Sequence, residues 1–410
     1  MKEKRNILYL TYDGLTDPLG GSQILPYLIG LSSSYNITVI SFEKKSAFIQ
    51  YSSNIEKVIE GKIKWIPKQY LKWPPVVSTL YNLVGLWYEC KLLSQDSHFH
   101  IVHCRSYITS LIGLWFKSKF KSRFVFDMRG FWADERVEGG IWNLRNPIFA
   151  LIYKYFKHKE LEFIHEADHV VVLTEKAKQI LKSWGRNHAV SVIPCCVDTD
   201  FFTPYRVEDA SKLSIRQSLN LKSNEFVLTY IGSLGTWYML NEMLDFFKSL
   251  KLLQEDAKFL ILTGEPKDTI YAVAEELGVK TTDLIIKRVQ RNEMPIYISI
   301  SDFTILFIRN TFSKQGSSPT KLGESLAMGI PVIANAGIGD IDVLFKDGNI
   351  GMIIEEFSFR KYQESVKKVL EFKGNILAIR NQAESYLSLN RGIILYSNIY
   401  KVLLDQEDDS

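Results

Sequence analysis

Short apolar runs rich in β-branched and aromatic residues recur along the chain, separated by longer stretches in which apolar residues return every three or four positions. In the first half the runs are NILYLT (6–11), ITVISF (37–42), HIVHC (100–104), RFVFDM (123–128) and HVVVLT (169–174). In the second they are FVLTYIG (226–232), KFLILTG (258–264), FTILFI (303–308) and PVIA (331–334). Strands alternating with helices predict an α/β fold whose parallel sheets are covered on both faces. No short-period repeat or low-complexity block interrupts the pattern.

The pattern breaks at SVIPCCVDTDFFTP (191–204), where a strand ending at Ile193 runs into Pro194, Asp198, Asp200 and Pro204. A polar stretch follows, and strand signals resume at Phe226. A chain of 410 residues is too long for one ordinary core. The break therefore predicts two Rossmann-like domains, 1–200 and 212–385. The remainder, 386–410, is expected to form a helix that packs back on the N-terminal domain, and its acidic end DQEDDS to be disordered.

Composition adds little beyond a folded soluble protein, with 46% hydrophobic and 23% charged residues. Fifty Lys and Arg against 46 Asp and Glu leave a net charge of +4, which points to no nucleic-acid partner. Cys90, Cys104, Cys195 and Cys196 form no CxxC pair and no metal spacing, so a reducing, cytoplasmic setting fits. The first apolar run is too short for a signal peptide, and the apolar region 76–88 falls short of the roughly 20 residues that span a bilayer. Any membrane contact is then peripheral. Segments 62–75 (KIKWIPKQYLKWPP) and 114–123 (LWFKSKFKSR) interleave basic and aromatic residues, which suits either anionic headgroups or a basic surface over buried aromatics.

Ligands of open α/β sheets collect at the carboxyl ends of strands, so the residues following each run are the candidates. After the first run, Gly20 and Gly21 precede a helix expected near Ser22 and would let a phosphate or sugar approach free N–H groups. After the fourth, FDMRGFWADER presents Asp127, Arg129, Asp134, Glu135 and Arg136, either a sugar-binding or acid/base cluster or a loop whose charges pair with one another. In YIGSLGTWY, Gly232 and Gly235 are spaced for a backbone cradle, and Trp237 or Tyr238 is placed to stack on a base or sugar. In SSPTKLGES, a helix is expected to open with Ser318 as N-cap and Pro319 as its first residue. Lys321 then stands in the first turn, against the helix dipole. A diphosphate held by Lys321, the hydroxyls of Ser317, Ser318 and Thr320 and the helix N–H groups would reverse that penalty; a surface pair with Glu324 is the simpler alternative. Gly323 would leave room for the ligand and Glu324 would receive ribose hydroxyls. In NAGIGDIDVL, Gly337 and Gly339 form a further anion-accepting turn, with Asp340 and Asp342 placed to orient the sugar.

With GGSQILPYL (20–28), VVVLTEKAKQIL (170–181), IPCCVDTDFF (193–202), YIGSLG (230–235) and SPTKLGESLAMGIPVIANAGIGD (318–340) taken in order, the chain resembles the retaining GT-B glycosyltransferases of family 4. The resemblance implies two Rossmann-like domains facing each other across a cleft. It also implies transfer of a sugar from a nucleoside-diphosphate sugar, UDP-sugar favoured, to a hydroxyl of a glycan or polyprenyl-linked glycan, as in bacterial surface-polysaccharide synthesis. No metal or cofactor is implied; cations of the protein take that role. Glu324 matches the family's second, ribose-holding glutamate, whereas the first falls at Gly316, leaving Gln315 or Ser317 to replace it. The Arg and Lys usual after the second domain's first strand are absent from GSLGTWYMLNEM, and Arg129 stands where a histidine is often found. The resemblance thus assigns Lys321, Arg129 and Asp127 to catalysis. Donor binding falls to Gly232, Ser233, Gly235, Ser317, Ser318, Thr320, Lys321 and Glu324, and acceptor binding to Gly20, Gly21, Asp127 and Arg129. A nucleotide-sugar 2-epimerase of the same architecture and a non-catalytic nucleotide-sugar-binding partner subunit are the alternatives.

Overall fold

The computed structural model describes residues 4–346 and 349–408. The chain forms two compact units, Met1–Pro194 together with Leu389–Ser410, and Cys195–Ser388. The first contains β1 (Asn6–Thr11), β2 (Asn36–Glu43), β3 (Ile63–Gln69), β4 (Ile101–Arg105), β5 (Arg123–Asp127), β6 (His169–Val172) and β7 (Val190–Val192). They pair in parallel in the order β3-β2-β1-β4-β5-β6-β7. The second contains β8 (Val227–Ile231), β9 (Lys258–Leu262), β10 (Leu284–Lys287), β11 (Phe303–Leu306), β12 (Val332–Asn335) and β13 (Gly351–Ile354). Its parallel order is β10-β9-β8-β11-β12-β13. Each order reverses direction once, between β1 and β4 and between β8 and β11, which is where open α/β sheets leave a crevice at their carboxyl edge.

The central strands are those with the most continuous apolar runs, because helices cover both faces. Leu8, Leu10, Phe124, Phe126, Leu228 and Ile261 are all fully buried, each worth about 2 kcal/mol over an exposed side chain. The strands that the apolar pattern misses are β3, β10 and β13, all three lying at sheet edges and being partly exposed. In β3 the polar positions Lys64 and Lys68 and the proline Pro67 are edge-strand features. Residues 63–69 are therefore sheet, and Trp65 donates its indole N–H to Ser41 Oγ at 2.8 Å. The segment 114–123 likewise has a structural explanation: Phe116 is buried in the core, with Trp115 and Phe120 packed against it.

The last helix, Leu389–Asp408, lies on the helix Leu25–Ser32 of the first unit. Gly30 permits the approach, since a Cβ there would come within 2.4 Å of Ile393. Tyr396 and Tyr400 enter the interior and stack edge-on against Tyr27 and Tyr35. The helix continues through Asp408, so residues 405–408 of the acidic end are helical rather than disordered, and residues 409–410 lie outside the described residues.

His169 on β6 shares a hydrogen bond with Ser191 Oγ of β7 at 2.9 Å. Burial, helped by the nearby Arg186 guanidinium, pushes its imidazole down to about 4. Between pH about 6.5 and 4 the unfolded chain takes up a proton that the folded state refuses. Stability of this unit is thus complete above pH about 6.5 and falls as pH drops, by at most about 1.4 kcal/mol per unit of pH from this group. Urea titrations across that range should show a shallower slope for His169→Gln; an unchanged slope would exclude this origin.

Candidate functional site

In the second unit the helix Thr320–Ala327 opens after Pro319, which is extended and makes no side-chain cap. Ser318 is not its N-cap: the Ser318 hydroxyl accepts the Cys195 N–H at 3.1 Å instead. A proline in extended conformation immediately before Thr320 shifts the helix start one residue beyond the expected position. The Lys321 amine donates to Glu324 Oε2 at 2.9 Å, and Arg291 donates to Oε1 at 3.0 Å. The Glu324 side chain is 3% exposed, whereas Lys321 is 29% and Arg291 43% exposed. A carboxylate this deep is costly without compensating charge, so this is no surface pair. The glutamate is sealed, and both cations keep one side towards solvent. Gly323 does not open space for a ligand, because a Cβ there would meet Val197 and Leu387 at ordinary contact distance. Arg291, on the one-turn helix Arg291–Glu293 after β10, also lies over the rings of Phe201 and Phe202.

The loop after β8 differs from a simple cradle. The Gly232 N–H donates to Leu262 O at 3.0 Å and so continues the β8–β9 ladder, while the Ser233 carbonyl accepts the Tyr230 hydroxyl at 2.7 Å. Gly235 has open space where a Cβ would stand, and it lines a cavity of about 400 Å³ with Tyr238, Asn241, Glu242 and Glu265. That lining carries carboxylates and no cation, so it suits hydroxyl groups better than a diphosphate. Trp237 stacks with cations of its own chain: Lys314 Nζ lies 3.7 Å and Arg309 5.0 Å from the ring centre. Tyr238 packs edge-on against Tyr230.

Gly316 ends the short helix Phe312–Gly316, which contains Gln315, and Ser317 follows it, its N–H donating to Lys314 O. The turn at Gly337 does accept an anion, but the anion is Asp342, whose two carboxylate oxygens lie 3.1 and 3.3 Å from the Gly337 N–H. Asp342 is thus turned to the backbone rather than to a sugar. The Gly339 N–H is taken by Lys314 O, and Asp340 precedes the helix Ile341–Lys346.

In the first unit the helix after β1 is Pro18–Gln23, so Gly20 and Gly21 lie inside it rather than before it. The Gly21 N–H donates to Asp17 O, and a Cβ at Gly20 would collide with Gly14 O at 1.9 Å. Gly20 serves close packing of the helix on the 14–15 turn; Gly21 faces open space. The turn itself is held by buried Glu43, which accepts the N–H groups of Leu15 and Thr16 and the hydroxyls of Thr16 and Ser41.

Asp127 ends β5 with no exposed surface. The Tyr396 hydroxyl donates to its Oδ2 at 3.1 Å, His103 Nε2 stands 3.5 Å away, and Arg105 and Arg129 each approach to 3.8 Å. Burial raises the carboxyl, but Arg129 foremost, then His103 and Arg105, outweigh it and hold Asp127 below the usual carboxylate range. Burial keeps His103 low despite Asp127; its Nε2 faces the carboxylate, and its Nδ1 shares a hydrogen bond with the Tyr400 hydroxyl at 2.8 Å. Asp127 is sealed beside Arg129, whose φ of 56° is the left-handed region a side chain rarely adopts. Asp134 does not join this cluster, since it accepts from Tyr153 and Lys157 at 2.8 Å each; Arg136 covers the Trp132 ring.

These positions can be set beside known proteins. Residues 32–201 match the model for Glycosyltransferase Family 4, and residues 211–385 match that for Glycosyl transferases group 1. The chain is a glycosyltransferase of the GT-B fold. Sucrose-phosphate synthase from Thermosynechococcus elongatus superposes with a TM-score of 0.74 at 12% identity, over 98% of this chain and 100% of that one. A glycosyltransferase from Rickettsia africae gives 0.72 at 17% identity, over 98% and 99%. The Anabaena protein HepE, solved in complex with UDP and glucose, gives 0.70 at 12% identity, over 96% and 99%. No curated protein matches the chain in sequence.

Several residues of this glycosyltransferase escape a reading of the motifs. Arg105 and Arg309 follow the apolar runs 100–104 and 303–308 directly, as Arg129 follows the run 123–128. Arg291 and Tyr396 carry no local signal, because their partners lie 33 and 269 residues away.

Proposed function

We propose that this glycosyltransferase moves a sugar from a nucleoside-diphosphate sugar, with UDP-sugar favoured, to a hydroxyl of a glycan or lipid-linked glycan in surface-polysaccharide synthesis. The configuration at the anomeric carbon is retained and no metal ion takes part. The observation that carries this reading is the sealed Glu324 carboxylate held between Lys321 and Arg291 at the opening of a helix. HepE, with UDP and glucose bound, supports the donor class. On donor binding, the partly exposed Lys321 ammonium and the first N–H groups of the helix meet the diphosphate and stabilise charge growing on it as the sugar leaves. Ser317 and Thr320 add hydroxyls beside them. Glu324 keeps lone pairs for the ribose hydroxyls, since a carboxylate has about four acceptor positions and two are used. Gly235 and the carboxylates of its cavity receive hydroxyls of the donor, and Arg129, oriented by Asp127, receives the acceptor with the Gly21 surface. The protein works in the cytoplasm, with peripheral contact to the membrane that carries its acceptor.

The test is UDP release from a panel of UDP-sugars with and without acceptor, alongside thermal shifts with the nucleoside diphosphates. A shift with UDP and acceptor-dependent release are expected. Release of a free or epimerised sugar without acceptor would replace the reading with a 2-epimerase. Binding without any turnover would make the chain a partner subunit, the alternative that Gly316 in place of a glutamate keeps alive. No shift with any nucleoside diphosphate would sink the donor site itself.

A further inference from the structure

The helix Val77–Asp96 of the first unit is inverted relative to an ordinary surface helix. Its inward positions are Ser78, Asn82, Leu86 and Cys90, and Asn82 spends its amide on Tyr12 Oη at 2.7 Å and Leu71 O at 3.0 Å. Its outward positions, three and four residues apart, include Val77, Leu80, Tyr81, Val84 and Tyr88, all exposed, with Leu80 at 61% and Tyr81 at 68%. Trp73, just before the helix, is 81% exposed. Single exposed apolar residues are ordinary, but a stripe along about three turns of one helix marks a contact face.

Charge and residue type on the page select the occupant. Between positions 62 and 93 there are five lysines and a single carboxylate, Glu89, already paired with Lys68 at 2.9 Å. Lys64, Lys72 and Lys91 are exposed beside the apolar stripe. A second copy seated on this face by a twofold axis would bring those lysines against their own counterparts. An anionic surface is complementary to them, and the tryptophan and tyrosines have the ring chemistry that settles at the headgroup level. Among the described residues no helix is long and apolar enough to cross a membrane; this one has the composition of a helix lying in the interface plane.

We propose that the outward face of helix Val77–Asp96, with Trp73, docks this protein on an anionic bilayer, the lysines meeting headgroups and the apolar stripe entering the acyl boundary. The proposal rests on the reading of a lipid-linked acceptor for its purpose, but not for its test. The full chain is sedimented, without donor, with vesicles of phosphatidylcholine alone and of an equal mixture with phosphatidylglycerol. Binding to the mixture and little to phosphatidylcholine alone is expected. Leu80→Ser with Val84→Ser should weaken binding by roughly a hundredfold, about tenfold for each side chain, and Lys64→Gln with Lys72→Gln should abolish the preference for phosphatidylglycerol. Leu252→Ser, exposed on the other unit, is the control and should bind as the parent does. UDP release by each variant reports that it is folded. A parent chain that turns over donor but sediments with neither vesicle overturns this inference and leaves the glycosyltransferase reading standing. Sedimentation with no donor turnover does the reverse. Binding undiminished by the paired serines, equal loss in Leu252→Ser, or a dimer that those serines dissolve would also overturn it.

Discussion

Glu324→Ala is expected to raise the KM for donor by about a hundredfold, two lost charged hydrogen bonds to ribose at roughly 1.5–3 kcal/mol each being enough for that. Arg291 and Lys321, left facing an empty pocket, would still draw a diphosphate, so kcat should fall less than kcat/KM. Lys321→Ala should show the opposite split, with kcat reduced by about a hundredfold or more and KM changed little, because its ammonium is assigned to charge that develops as the diphosphate leaves. Both variants should fold, since Arg291 still holds Glu324 when Lys321 is removed, and both cations reach solvent when Glu324 is removed. Steady-state kinetics with the donor found by UDP release decides the matter. Parental KM and kcat in both variants would remove this helix from the active site.

The second large effect concerns stability. Arg380 is buried in the second unit, on the helix Ile376–Leu387. It donates to Phe202 O at 3.0 Å, Ala327 O at 2.6 Å and Thr199 O at 2.8 Å, and it pairs with Glu384 at 2.9 Å. The three carbonyls belong to two segments far apart in sequence, 199–202 and the last residue of the helix that carries Lys321 and Glu324. Arg380→Met would keep the packing and leave the carbonyls without donors, at about 1–3 kcal/mol each. A loss of about 4 kcal/mol is expected, lowering the melting temperature of this unit by roughly 10 °C. Arg380→Lys should recover little, because an ammonium cannot reproduce the planar fork. Calorimetry reading a drop of less than about 2 °C for Arg380→Met would show that other groups bind these carbonyls.

Much of the architecture follows from local pattern. The runs 6–11, 123–128 and 258–264 lie on β1, β5 and β9 because a strand covered on both faces must be apolar at nearly every position. β3 escaped because an edge strand alternates Lys and Ile in the way a solvated loop can. Segments 62–75 and 114–123 drew notice for mixing lysine with aromatics, yet Trp65 and Phe116 turn inward. The exposed face joins Trp73, at the end of the first of these segments, to the neighbouring apolar stretch, and no residue in that stretch says which side of its helix meets the sheet.

The candidate site divides in the same way. The place of Lys321, Glu324, Asp127 and Arg129 after their strands and at a helix start was set by the sequence, since turn residues and the ends of apolar runs are local features. So was the three-residue spacing that lets Lys321 reach Glu324. Partner choice was decided only by the tertiary structure: Arg291 on Glu324, Asp342 on the Gly337 turn, and Tyr396, Arg105 and His103 around Asp127. A buried charge takes whichever opposite charge or donor the packing brings within about 3–4 Å, and that distance is a property of how helices and strands meet, which no short stretch of chain contains.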